Sequence, residues 1–164
     1  MAKTYEPIAT TTLGSANGTI TFNSFSGYTD IFCIANFGTS GTTNVKMRFN
    51  GDSGSNYSLT YLDGNGTSAV SGRTSNSSAI YFTASSWYAA TGFSNILTFN
   101  LMSYSNTSTN KSVLVRYGSA SQGAMAQIGL WRNTAAITSL EITTDGGQTF
   151  NTGSTFTLYG IKSA

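Results

Sequence analysis

The clearest structural signal in this chain is the stretch Val45-Lys46-Met47-Arg48-Phe49. Apolar and charged side chains alternate along it, and successive side chains of a β-strand point to opposite faces of the sheet. Val45, Met47 and Phe49 therefore share one face, and both cations share the other. This pattern predicts a strand whose apolar face is buried and whose charged face meets water.

The same alternation recurs along the chain. Apolar residues take every second position at Tyr57, Leu59 and Tyr61, at Leu97, Phe99 and Leu101, at Val113, Val115 and Tyr117, and at Phe156 and Leu158. Asn-Gly and Asp-Gly pairs, which favour tight hairpin turns, separate several of these runs. We predict about ten short strands. They start near Thr19, Ile31, Val45, Ser58, Ala79, Ile96, Val113, Ala126, Ile137 and Thr155. The expected fold is all-β, a single antiparallel β-sandwich of jelly-roll type with no substantial helix.

The chain is predicted to consist of two segments. Residues 15–164 are predicted to form the sandwich domain. Residues 1–14, which contain the chain's one proline, Pro7, are predicted to form an N-terminal arm. We expect this arm to pair either with a neighbouring molecule or with the last strand.

The composition argues against catalysis. The chain has no histidine and one cysteine, Cys33, so the commonest general base, the commonest metal ligand and any intrachain disulfide are missing. Only six acidic residues are present, and Asp52, Asp63 and Asp145 lie in Gly-rich turns, where a carboxylate usually caps the backbone. Glu141 is predicted to face outward from a strand. We therefore predict that the protein is not an enzyme and needs no cofactor.

The charges also argue against some partners. Charged residues make up 9% of the chain, against about 25% in an average soluble domain. The eight Lys and Arg residues are dispersed, whereas nucleic-acid-binding proteins usually cluster them on one face. No stretch approaches the roughly 18 apolar residues of a membrane span, and no apolar signal segment opens the chain. We expect neither a nucleic-acid nor a membrane partner, and synthesis in the cytoplasm.

Two loops contain residues that could bind calcium. Asn50, Asp52 and Asn56 precede one predicted strand, and Asp63 and Asn65 follow it. Calcium prefers hard oxygen ligands of this kind, but its sites usually carry more acidic charge. The alternative is that these side chains stabilise hairpin turns.

Three aromatic residues could bind a glycan, because sugars stack on flat exposed rings. They are Trp87, Tyr88 and Trp131. The alternative is that these rings fill the core or a subunit interface.

Several motifs occur together in one order. They are Ile20-Thr21-Phe22, Tyr28-Thr29-Asp30-Ile31, the run from Met47 to Tyr57, the run from Trp131 to Leu140, and Phe156-Thr157-Leu158-Tyr159-Gly160-Ile161-Lys162. This ordered set resembles the small β-sandwich virion proteins of tailed bacteriophages, including cyanophage and other marine phage members. The resemblance spans nearly the whole chain.

The resemblance implies a structural protein of the virion surface that assembles as a homo-oligomer, for which a trimer is one arrangement. It carries over no catalytic residues. We favour a capsid decoration (cement) or head-fibre protein that contacts other virion proteins such as the major capsid protein. The alternative is a tail-fibre or tail-tip domain that binds a receptor glycan on the host surface. In either case the expected location is the virion, after synthesis in the host cytoplasm.

Overall fold

The computed structural model describes residues 5–82, 88–119 and 121–162, with all side chains in these ranges except those of Phe93 and Ser94. Twelve strands and no helix lie in these ranges. The strands are β1 (Tyr5–Thr12), β2 (Thr19–Asn23), β3 (Asp30–Thr39), β4 (Val45–Phe49), β5 (Tyr57–Gly64), β6 (Ala69–Ser77), β7 (Ile80–Tyr81), β8 (Gly92–Leu101), β9 (Lys111–Ser119), β10 (Gly123–Trp131), β11 (Ser139–Thr144) and β12 (Thr155–Ile161). Among the described residues, no helix has the length and apolar character needed to cross a membrane.

The strands form two antiparallel sheets. The larger has eight strands in the order β1-β12-β3-β8-β9-β10-β5-β6, and the smaller has four in the order β2-β11-β4-β7. One continuous core draws on both sheets. The prediction of an all-β antiparallel sandwich is confirmed. The jelly-roll order stays a prediction, because the eight-plus-four division does not by itself establish that topology.

All ten predicted strands are present, and two more were missed. The missed strands are β1 and β6, the outermost strands of the larger sheet. β1 pairs with β12 along its whole length, from Tyr5 opposite Ile161 to Thr12 opposite Thr155. The N-terminal arm thus pairs with the last strand, which was one of its two expected partners. β6 has mostly exposed side chains, so its sequence contains no apolar alternation from which it could be predicted.

The burial of side chains along β4 matches the prediction. Val45, Met47 and Phe49 are fully buried, whereas Lys46 and Arg48 lie on the other face of β4. Lys46 forms an ion pair with Asp145. Arg48 donates a hydrogen bond from Nε to the carbonyl of Ser78, at 3.0 Å.

Aromatic rings join the two sheets. Phe49 of the smaller sheet packs against Trp131 of the larger one, with ring centroids 5.6 Å apart. Tyr57 stacks on the same indole at 6.4 Å. A second aromatic group, with Phe37, Phe150 and Phe156, lies elsewhere in the core with centroids 5.0–5.8 Å apart. Rings packed this way are worth about 0.5–1.5 kcal/mol per pair beyond the area that they bury.

Several buried polar side chains have hydrogen-bond partners, among them Asn95 and Lys111. Asn95 donates to the carbonyls of Ala90 and Phe37 and accepts from the hydroxyl of Tyr117, which ties the start of β8 to β3 and β9. Lys111 donates from Nζ to the carbonyls of Thr109 and Thr134, at 2.7 and 3.0 Å. Burial lowers the pKa of Lys111. Both side chains hold loops against the ends of the larger sheet.

Truncating side chains on the two faces of β8 should lower the free energy of unfolding by different amounts. Phe99 is fully buried, whereas Ile96 on the outer face of the same strand is 56% exposed. We expect Phe99→Ala to lower the free energy of unfolding by about 3–5 kcal/mol, because it leaves a cavity. The matched control Ile96→Ala should cost at most about 1 kcal/mol. Urea denaturation measures both, and equal losses would show that the inner face of β8 is wrongly assigned.

Candidate functional site

The two loops with possible calcium ligands lie at opposite ends of β5. The seven steps from Tyr57 to Gly64 span roughly 23 Å of strand, at about 3.3 Å per residue. Asp52 and Asn56 precede this strand, Asn65 follows it, and Asp63 is its buried penultimate residue. The structure therefore does not bring the five predicted residues together. Within the described ranges, no group of three or more His, Cys, Asp or Glu side chains could hold a metal ion.

The oxygens of Asp52 already have protein donors. Oδ1 accepts from the backbone N–H of Gly54 at 2.8 Å. Oδ2 accepts from Nδ2 of Asn56 at 2.9 Å and from the indole N–H of Trp131 at 2.7 Å. The carboxylate thus stabilises the turn between β4 and β5 and attaches it to the core. For Asp52, stabilisation of a hairpin turn is therefore the better of the two interpretations given above.

The other predicted ligands also stabilise turns. Oδ1 of Asn50, a residue with a φ of 52°, accepts from the backbone N–H groups of Thr138 and Ser139, and its Nδ2 donates to the carbonyl of Ala136. Oδ1 of Asn65 accepts from the N–H groups of Thr67 and Ser68 within its own hairpin. These contacts supply the function that Asn and Asp side chains commonly have in turns.

Competing effects set the pKa of Asp52. Partial burial by itself raises it, because the charged form loses water. The hydrogen bonds from Trp131, Asn56 and Gly54, together with the positive charge of Arg48, outweigh burial and lower the pKa below its ordinary value. The ionised form of Asp52 is therefore the one that the fold stabilises.

The three predicted glycan-contact residues have different surroundings. Trp131 is 1% exposed and packs against both Phe49 and Tyr57, so its ring is not open to a sugar. Trp131 is therefore a core residue and not a glycan contact. Periodicity alone could not have shown this, because Gln127 and Gly129 share its face of β10, whereas the more apolar Ile128 and Leu130 lie on the opposite face. Trp87 lies outside the described residues. Tyr88 is 44% exposed.

Tyr88 lines a small surface pocket of about 230 Å³. The other lining residues are Thr42, Thr43, Asn44, Asp145, Gly146 and Gln148. Asp145 is held by its ion pair with Lys46, and Oε1 of Gln148 accepts from the hydroxyl of Ser40 at 2.8 Å. An aromatic ring with carboxylate and amide oxygens beside it is a combination that can bind a polyhydroxylated ligand. Sequence analysis connected Tyr88 with none of these polar residues, because they come from loops more than 40 residues away.

A larger feature lies on the face of the eight-stranded sheet that points away from the smaller sheet. An open groove of about 1150 Å³ crosses β8, β9, β10 and β5, and we call it the outer groove. Two of its lining residues, Leu62 and Ile96, are 59% and 56% exposed. Ile34 and Ile128, on outward positions of β3 and β10, are 43% and 48% exposed and extend the apolar surface. A large exposed apolar surface of this kind commonly marks a binding site.

Sequence analysis did not identify the outer groove. Its apolar residues lie at outward positions of strands that also carry core residues, such as Ile96 beside the fully buried Leu97 on β8. A strand that is apolar on both faces is usually one that is covered on both sides. The stretch from Ile31 to Phe37, which is apolar at inward and outward positions apart from Asn36, was one available signal.

The comparisons with known proteins place the chain in no established group. It matches no protein-family model, and no curated protein matches it. The functional argument therefore depends on the sequence and on the geometry of the outer groove and of the Tyr88 pocket.

The hydrogen bonds of Asp52 predict how stability depends on pH. Because the folded pKa is lower than the ordinary value of 3.8, the contribution of Asp52 is fully present above that pH. It is lost as the pH falls through the lowered folded pKa. We expect Asp52→Asn to be less stable than the natural protein at neutral pH by about 1.5–3 kcal/mol, typical of hydrogen bonds to a charged group.

Unfolding free energies measured between neutral pH and about pH 2 test this expectation. The difference between the two proteins should narrow below pH 3.8. Glu6→Gln is the control for losing one carboxylate, since Glu6 lies on β1, at the edge of the larger sheet, and pairs there with Lys162. A difference in unfolding free energy between the natural protein and Asp52→Asn that stays constant at all pH values would contradict a role for the charge of Asp52.

Proposed function

We propose that this protein is an accessory structural protein of a tailed-bacteriophage virion, which decorates the capsid or forms part of a head fibre as a symmetric oligomer. The observation that carries the proposal is the outer face of the larger sheet. It exposes Leu62, Ile96 and Ile128 together, where a protein that works alone in water would place polar residues. Such a surface is suited to permanent contact with a partner.

The edges of the larger sheet add support for self-association. On the β1 edge, Pro7 lacks an N–H group, and a register shift interrupts the ladder between Pro7 and Ala9. Both features discourage further pairing. The opposite edge, β6, has no proline over nine residues, although its pairing with β5 also has a register shift, between Tyr57 and Leu59. Its backbone N–H groups are therefore complete, which makes β6 the edge better suited to pair with a second copy.

The low charge of the chain points the same way. With 9% charged residues, little electrostatic repulsion opposes close packing of many copies on one particle. The ordered motifs that resemble phage virion proteins supply the biological setting. Together these features favour assembly as the function, and they leave head and tail positions to experiment.

Immunogold electron microscopy of purified particles of the encoding phage tests this proposal directly. We expect gold labels distributed over the heads. Labels confined to the tail would shift the assignment to the tail-fibre or tail-tip alternative. Particles that carry no label, although the antibody recognises the denatured chain in a blot of infected cells, would contradict a virion location.

The Tyr88 pocket favours a second candidate function, recognition of a host-surface glycan. A sugar ring would stack on the exposed phenol, and its hydroxyls would donate to the oxygens of Asp145 and Gln148. This function would suit a tail position.

A glycan array with the assembled protein tests the second candidate. Tyr88→Ala should weaken any glycan signal by about tenfold, the upper range for loss of one stacking contact. Tyr5→Ala is the matched control, because Tyr5 is similarly exposed, at 54%, but lies on β1 and does not line the pocket. An array without signal for the folded natural protein would remove this candidate.

A further inference from the structure

The floor of the outer groove allows close approach of another backbone. Gly118 of β9 lies opposite Ala124 of β10, and Ala124 lies opposite Gly64 of β5. With strands about 4.8 Å apart, these three small residues form a strip roughly 10 Å wide. Ile96, opposite Gly118 on β8, ends the strip on one side. The groove is therefore a shallow channel with apolar walls.

The next row of the same face carries a positive charge. Arg116 of β9 lies between Thr98 of β8 and Ala126 of β10, and Leu62 of β5 lies beyond Ala126. Arg116 is exposed, and it forms no ion pair or hydrogen bond with the described residues. Asp63 also lines the groove, but its side chain points to the inner face and is 3% exposed. The exposed charge of the groove is thus positive.

Most acids of the chain have partners elsewhere or are buried. Glu6 pairs with Lys162, Asp145 pairs with Lys46, and Oδ1 of Asp30 accepts from the N–H of Ser103 at 2.7 Å. Asp52 accepts the three hydrogen bonds described above, Asp63 is buried, and Glu141 lies opposite Arg48.

A second copy would therefore offer Arg116 mainly carboxylates that already have partners. Two outer grooves placed face to face would also bring like charges together, which is unfavourable. Charge complementarity thus points to a different molecule as the occupant of the groove.

We propose that the outer groove docks a segment of a different protein, one that carries an acidic side chain next to apolar ones. The carboxylate pairs with the guanidinium of Arg116, whose planar donors suit bidentate contact. The apolar side chains of the segment cover Leu62 and Ile96, and its backbone runs over the strip of small residues. This inference rests on the proposed function, because it specifies the partner that holds the protein on the particle.

Add-back to particles tests the proposal. The probe is a purified phage particle from a mutant that lacks this chain, mixed with the purified protein and sedimented. We expect the natural protein to bind, and Arg116→Gln and the double variant Leu62→Ser with Ile96→Ser each to bind at least about tenfold more weakly. All three positions are exposed, so unfolding temperatures should stay close to that of the natural protein.

Asn23→Asp is the matched control. It changes the net charge by the same single unit as Arg116→Gln, but at an exposed position of β2 in the other sheet, and its binding should be unchanged. Equal binding by the natural protein and the groove variants would overturn the inference and leave the virion function standing. Failure of the natural protein to bind particles would remove the proposed function, and the docking site with it.

Two further measurements address other occupants. If light scattering finds an oligomer that dissociates in the Leu62→Ser and Ile96→Ser variant, the groove is a contact between copies and the proposal is wrong. If a fluorescent DNA oligonucleotide binds the natural protein but not Arg116→Gln, the groove recognises phosphate, and the proposal is again wrong. We expect neither result, since one arginine among apolar residues is a poor match for a phosphate backbone.

Discussion

The contact between Phe49 and Trp131 is the interaction on which the two-sheet arrangement depends. Phe49 ends β4 of the smaller sheet, and Trp131 ends β10 of the larger one, so their packing at 5.6 Å joins the layers at one corner. The turn between β4 and β5 carries Asp52, whose carboxylate accepts the indole N–H. The polar end of the ring is thus satisfied while its apolar body is buried, which is the usual requirement for a buried tryptophan. Burial also raises the pKa of the neighbouring Tyr57 to about 12, so its hydroxyl stays neutral and donates to the carbonyl of Asp52.

The unequal size of the two sheets has consequences for the surface. The inner faces bury their apolar residues between the two sheets, and the larger sheet then presents a second face that no described strand covers. On that face Leu62, Ile96 and Ile128 are exposed at positions that alternate with buried ones. Within the sandwich, the inner positions supply stability, and the outer positions are available for recognition.

The scarcity of charge makes each charged residue informative. Lys46 and Lys162 pair with acids, and Lys111 donates to backbone carbonyls. Arg48 and Arg132 also bond to protein groups, the latter to the carbonyl of Ser55 at 2.6 Å. Two exposed arginines, Arg73 and Arg116, lack such a partner among the described residues, and of these two Arg116 is the one that lines the outer groove. Because Arg116 lies in an apolar groove, we infer that it contributes to binding and not to stability.

The alternation of side chains along the strands was enough to predict the all-β class and ten of the twelve strands, because a half-buried strand must repeat with a period of two. Composition likewise showed the absence of histidine and the low charge. The edge strand β6 escaped prediction, since its mostly exposed side chains leave no periodic signal. In β1 the register shift between Pro7 and Ala9 interrupts the alternation.

Only the tertiary structure decided which apolar residues are buried. It placed Trp131 in the core, left Tyr88 beside polar residues from distant loops, and collected Leu62, Ile96 and Arg116 on one open face. The physical reason is that alternation defines two faces of a strand, whereas strand order and the extent of the opposing sheet determine which face is covered.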